Sequence, residues 1–158
     1  MRPTEPLPLF HSWPILDDGH RFDLGWISDH EMSVDANSFF PSLDEQVFAQ
    51  HAVGQWECDL DDSSLTWSKE VYDLFGLPYG TDLSRAKIVA QYCEGSRVAM
   101  ERLRAYAIKH RRGFTLDAEI RKVDGTSCWM RLMAAPVCVE NRAVRLVGLK
   151  RQIDCHRR

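Results

Sequence analysis

The residues able to do chemistry in this 158-residue chain are scattered. Five cysteines (Cys58, Cys93, Cys128, Cys138, Cys155) are widely spaced and form no Cys-x-x-Cys pair. An odd set of this kind is not a disulfide framework, and it fits a reducing compartment. Exposed as thiolates, Cys58, Cys93 and Cys128 would be open to reversible oxidation. Buried, the same residues are small apolar filler. Cys93 stands beside Glu94, whose charge disfavours a thiolate. Cys155-His156 puts two ligands in a tail, which does not make a closed metal site. The six histidines are dispersed. No nucleophile elbow, zinc-protease helix, phosphate loop or dinucleotide fingerprint occurs, so the chain reads as a non-enzyme.

Composition narrows the class further. Hydrophobic residues make up 44% and charged residues 27%, the balance of a folded domain, and the length suits one such domain. The formal charge is −3. A cluster of Arg102, Arg104, Lys109, His110, Arg111 and Arg112 is basic, but it lies in an acidic surrounding and reads as a solvated helix face. Nucleic acid is therefore not an expected partner. Met1–Pro14 holds four prolines and no apolar run fit for a signal peptide. No stretch approaches the ~20 apolar residues of a membrane span, so the expected location is cytoplasmic, with no membrane partner.

The elements that must position any site begin after an arm. Residues 1–41 show no sustained periodicity and read as irregular, although their aromatic residues favour packing over disorder. Ser42 and Glu45 form a capping box for a short amphipathic helix, Leu43–Ala52. Val53–Leu60 and Ser64–Trp67 read as a hairpin. Ser68 starts a helix to Phe75, with Gly76 in the left-handed position after it. A second short helix is expected at about Leu83–Tyr92. A longer one, Ser96–His110, carries the stripe Ala99, Leu103, Tyr106, His110. Three strands follow, Phe114–Val123, Ser127–Val139 and Ala143–Asp154, the first two joined at Asp124-Gly125. Pro136 marks a bulge or edge position. Two strands, several helices and three strands mean α+β with an antiparallel sheet.

Four stretches resemble the PAS family with its PAC motif, in the subgroup called PAS fold-3. They are Gly54–Leu60 with Leu65-Thr66-Trp67-Ser68; Val71–Leu77; Phe114–Gly125 with Trp129-Met130-Arg131; and Arg145–Asp154. Together they cover about residues 53–154. The resemblance implies a five-stranded antiparallel sheet with helices over one face, the domain proper being residues 42–154 and the tail 155–158. Cys93-Glu94-Gly95-Ser96 replaces the His-Pro-Glu-Asp-like loop frequent in the family. The chain stops at Cys155–Arg158, where relatives often continue into a kinase or cyclase; its start at Met1 favours a stand-alone protein.

The resemblance also implies a role: a sensory or docking domain in bacterial-type signal transduction. It would act by population shift on binding a small molecule or a signalling partner such as a histidine kinase. Where helix and sheet faces converge, the expected pocket lining is Phe75, Ile88, Tyr92, Leu103, Tyr106, Leu132 and Leu149. These residues equally suit a filled core, and Tyr92 and Tyr106 would add hydroxyls to orient a ligand. Some relatives hold haem, flavin or an organic acid, and His110 is the one residue placed to ligate haem iron; at a helix end it equally serves the dipole. The cysteine-adduct flavin motif is missing, and no tightly bound cofactor is the leading expectation. Relatives dimerise through the helix before the first strand and the outer sheet face. By that analogy Val47, Phe48, Trp56 and Trp129 are the expected interface of a homodimer, and a purely structural dimerisation module is a further reading.

Overall fold

The computed structural model describes residues 10–14 and 52–153. The helix expected over Leu43–Ala52, with Val47 and Phe48, lies outside these residues apart from Ala52. Six strands form one sheet: β1 (Phe10–Pro14), β2 (Val53–Asp59), β3 (Leu65–Trp67), β4 (Arg112–Arg121), β5 (Ser127–Val139) and β6 (Arg142–Ile153). Their order is β1-β4-β5-β6-β2-β3, antiparallel at every pairing. Three helices separate the two hairpins: α1 (Lys69–Phe75), α2 (Arg85–Ala90) and α3 (Glu94–His110). The α+β order read from the sequence is the order observed.

Five of the strands make the expected sheet. The sixth, β1, corrects the reading of residues 1–41 as wholly irregular. Its backbone pairs with β4, and the Arg112 guanidinium donates to the Ser12 hydroxyl and carbonyl at 2.8 and 3.1 Å. A five-residue edge strand of sequence Phe-His-Ser-Trp-Pro offers too little alternation to announce itself.

The register aligns side chains into rows across the sheet. Gly54, Lys150, Leu132 and Leu116 make one row; Trp56, Gly148, Ala134 and Phe114 make the next on the same side. Because strand side chains alternate in direction, the neighbouring row of Gln55, Leu149, Met133 and Thr115 faces away. The helices cover the first side, where Trp56, Trp67, Phe75, Ile88, Tyr92, Phe114, Leu116, Ile120 and Leu132 form the core.

Several local details follow from short polar contacts. Gly76 ends α1 at φ 75°, as its position after Phe75 predicts. Ser68 precedes α1 but does not cap it; its hydroxyl instead accepts from the Gln55 amide at 2.9 Å, tying α1 to β2. α3 begins two residues before Ser96, whose hydroxyl accepts from the Glu119 amide at 2.8 Å. Asp124 accepts from the Thr126 amide and hydroxyl in the β4–β5 turn, where Gly125 has φ 93°. Pro136 lies past the last β4–β5 pair, Phe114 with Ala134, and just before a register shift at Val137/Cys138. Its missing N–H thus falls where β5 has one neighbour.

α1 approaches β2 closely because Gly54 lacks a side chain. A methyl group there would meet the Val71 side chain and stand 2.8 Å from its backbone nitrogen. Gly54→Ala should therefore lower stability by about 1–3 kcal/mol, the usual cost of overpacking. Gly95, in the first turn of α3, has open space around it; Gly95→Ala should raise stability by roughly 0.4–1 kcal/mol. Urea denaturation of both variants checks the contrast, and equal effects would refute the packing described.

Candidate functional site

Beneath α2 and α3 the sheet keeps a cavity of about 50 Å³. Its lining includes Trp56, Cys58, Ile88, Tyr92, Met100, Phe114, Leu132, Leu146 and Lys150, with Arg85 and Arg104 at its margin. Each element supplies its part by its own period. β2 and β6 contribute alternate residues, and α3 contributes Met100 and Arg104, one helical turn apart.

Lys150 is the unusual member. It is 6% exposed, in the middle of an otherwise apolar surface. Its ammonium stands 4.9 Å from the Phe75 ring centre, 5.2 Å from Trp56 and 5.4 Å from Trp67, in contact with three aromatic faces. Trp67 and Phe75 stack at 4.9 Å, which fixes two of those faces. Ring quadrupoles attract a cation by about 0.5–2 kcal/mol each at most, well short of the hydration it loses. Among the described residues Lys150 makes no hydrogen bond or ion pair. Burial accordingly pushes its pKa down from 10.5 to about 7; the neighbouring Cys58 works against the shift and the Arg85 charge adds to it.

Two more polar groups are left unmatched beside it. The indole N–H groups of Trp56 and Trp67 are buried with no hydrogen-bond partner. An unsatisfied buried donor costs roughly 1–3 kcal/mol. The only carboxylate from α3 near this mouth among the described residues, Glu101, is engaged by Arg85. The cavity therefore presents positive charge and a spare donor, and among the described residues no carboxylate lines it.

Of the expected lining, Ile88, Tyr92 and Leu132 meet at this cavity. Phe75 is fully buried in the adjoining core and faces Lys150. Leu103 packs against the core from α3 but lines a shallow groove on the outer side rather than the cavity. Tyr106 is a correction: it is 47% exposed, with its ring against His110 at 4.2 Å. The buried stripe of α3 is Ser96, Met100 and Ala107, turned by one residue from the stripe expected. Leu149 is a second correction; it is buried on the opposite side of the sheet, one residue out of phase with Lys150. Trp56, expected at an outer interface, faces inward at 6% exposure, while Trp129 lies half-buried on the outer side.

The residues do not fit haem or flavin. His110 is exposed at the end of α3 and is not part of the lining. The cavity of about 50 Å³ is far below the roughly 300–1,000 Å³ of pockets that enclose drug-sized ligands. Among the described residues, the four thiols are buried or partly buried. Cys58 and Cys128 are buried. Burial raises the Cys93 pKa, and Glu119 of β4 adds to the effect. Burial raises Cys138 likewise.

An antiparallel sheet with three helices over one face and a small pocket between them defines an α+β class. No protein-family model and no curated protein matches the sequence. Solved structures do match. The N-terminal domain of a diguanylate cyclase with PAS/PAC sensor from Marinobacter aquaeolei has a TM-score of 0.59 at 14% identity, covering 63% of this chain and 94% of that one. A sensory box histidine kinase/response regulator from Burkholderia thailandensis also gives 0.59 at 13% identity, covering 69% and 82%. An RNA-binding light-oxygen-voltage receptor gives 0.56 at 13% identity over 63% of this chain, which spans 29% of that protein. The chain has the PAS fold.

The buried lysine has a signed consequence for stability. Its folded pKa of about 7 lies below the 10.5 of the free side chain. Between these values the unfolded chain binds more protons, so stability rises with pH; below both, the charge is present in each state and the slope vanishes. Wild-type protein should gain stability from pH 7.5 to 9, approaching about 1.4 kcal/mol per unit. Lys150→Met should lose that rise and be the more stable protein at pH 6. The raised thiol and tyrosine pKa values act in the opposite sense above pH 9, so the difference between the two proteins in urea denaturation is the quantity to read. Identical slopes would contradict the burial of Lys150.

Proposed function

We propose that this domain is a sensory module of bacterial-type signal transduction which binds a small molecule over Lys150. Occupancy favours one arrangement of α2 and α3 against the sheet, and a signalling partner such as a histidine kinase reads that arrangement. The observation that carries the reading is the unmatched ammonium in a cavity otherwise lined mainly by apolar side chains. A domain with no ligand would gain by filling this position with an apolar side chain. The neighbouring folds support the setting, since two of them bear the names of a PAS/PAC sensor and a sensory box kinase. Homodimerisation is the second reading, favoured by Trp129 and Ile153, which stand half-buried in one row of the outer face.

Hydrogen exchange followed by mass spectrometry separates these readings. A sensing domain exposed to a panel of small polar metabolites should show slowed exchange in residues 85–110 for at least one of them, and the Met100→Trp variant, which fills the cavity, should not respond. Absence of any response in residues 85–110, with protection at residues 127–153 that depends only on protein concentration, would replace sensing with self-association.

A further inference from the structure

Resting on that reading of the pocket, we infer that the ligand class is a small monocarboxylate, its anionic end held by the Lys150 ammonium and the Trp56 indole N–H. Three independent features converge on an anion. The ammonium is buried with no counter-ion among the described residues. Trp56 lines the cavity and its N–H lacks an acceptor, as does that of Trp67 beside Lys150. The margin adds Arg104 beside the Arg85–Glu101 pair, so an approaching anion meets the Arg104 guanidinium before it enters.

The rest of the lining limits what is attached to that charge. Ile88, Met100, Phe114 and Leu132 offer only apolar surface. A multiply charged anion such as phosphate would leave charge against these side chains, whereas one carboxylate with a short alkyl tail satisfies both ends. Size points the same way. With about 10–15 Å³ of such volume needed per water, a cavity of about 50 Å³ takes roughly four non-hydrogen atoms. That is the scale of acetate, with propionate one atom larger.

The groups facing Lys150 leave its protonation as the controlling equilibrium. They are Cys58 on β2, Arg85 with its partner Glu101, Tyr92 after α2 and Arg104 on α3. Burial raises the Tyr92 pKa, so its hydroxyl stays neutral around neutral pH. Carboxylate binding should therefore weaken as Lys150 loses its proton.

Titration of the full chain with sodium propionate, read by tryptophan fluorescence, tests this, with propionamide as the uncharged isostere. At pH 6.5 propionate should saturate the signal and bind at least tenfold tighter than propionamide. Its dissociation constant should rise at least tenfold by pH 8.5. Lys150→Met should weaken propionate at least tenfold while leaving propionamide within about twofold. Trp56→Phe, which keeps the ring and removes the N–H, should weaken propionate severalfold and serves if the lysine variant does not fold. Equal affinity for the two probes, or propionate binding that ignores both pH and substitution, overturns the anion assignment and leaves a pocket for neutral ligands. Failure of both probes to bind removes the assignment, and persistent silence of residues 85–110 in hydrogen exchange removes the sensing reading separately.

Discussion

Sheet parity turns the Lys150 ammonium into the helix-covered face, where the residue keeps only 6% of its exposure. It stands between Gly54 and Leu132 in a row of the helix-covered face. Leu149, next in sequence, is fully buried on the other face. Sliding β6 by one residue would exchange them, sending Lys150 out and Leu149 into the helices. The register is held against that slip by close backbone approaches. A side chain at Gly148 would collide with the carbonyl of Met133, so β5 and β6 interlock at this point in a way that only glycine permits. α1 presses Val71 onto Gly54 in the same row as Lys150. The strands that build the sheet and the helix that carries Phe75 thus converge on one amine.

The same enclosure draws on all three helices. α1 delivers Phe75 to the aromatic enclosure, while α2 and α3 supply the far wall through Ile88 and Met100. Tyr92, between the last two, makes an isolated bridge to Ile120 of β4, and the Cys93 amide donates to Glu119 at 2.9 Å. The segment between α2 and α3 is therefore anchored to the sheet at its junction. α2 has six residues and is too short to stand alone, so its position depends on what fills the space below it.

Much of this was legible in the sequence because it rests on local signals. Gly76 after Val71–Phe75, the Asp124-Gly125 turn and the alternation from Phe114 to Ile120 each mark an element whose geometry is set within a few residues. Ser127–Val139 matches the expected strand at both ends. The site itself was less legible. Lys150 belongs to Lys150-Arg151-Gln152, which reads as a polar strand end, and the apolar Leu149 seemed the better candidate for the interior. Only the pairing with β5 and β2 decides which of the two faces the helices. The α3 stripe failed for a related reason. Tyr106 and His110 continue an apolar-looking line from Leu103, but Ser96 and Ala107, small and weakly patterned, are the residues that lie against the sheet. Close approach selects small side chains, and small side chains carry little periodic signal.

The state of the Lys150 amine is the most direct test of this account. Lysine-selective carbon-13 labelling allows its side-chain resonance to be followed by NMR from pH 5 to 11, with Lys150→Met identifying the signal. The account predicts that the Lys150 signal titrates at about 7, near neutrality. A Lys150 that titrates near 10.5, the value of the free side chain, would place the amine in water and contradict it.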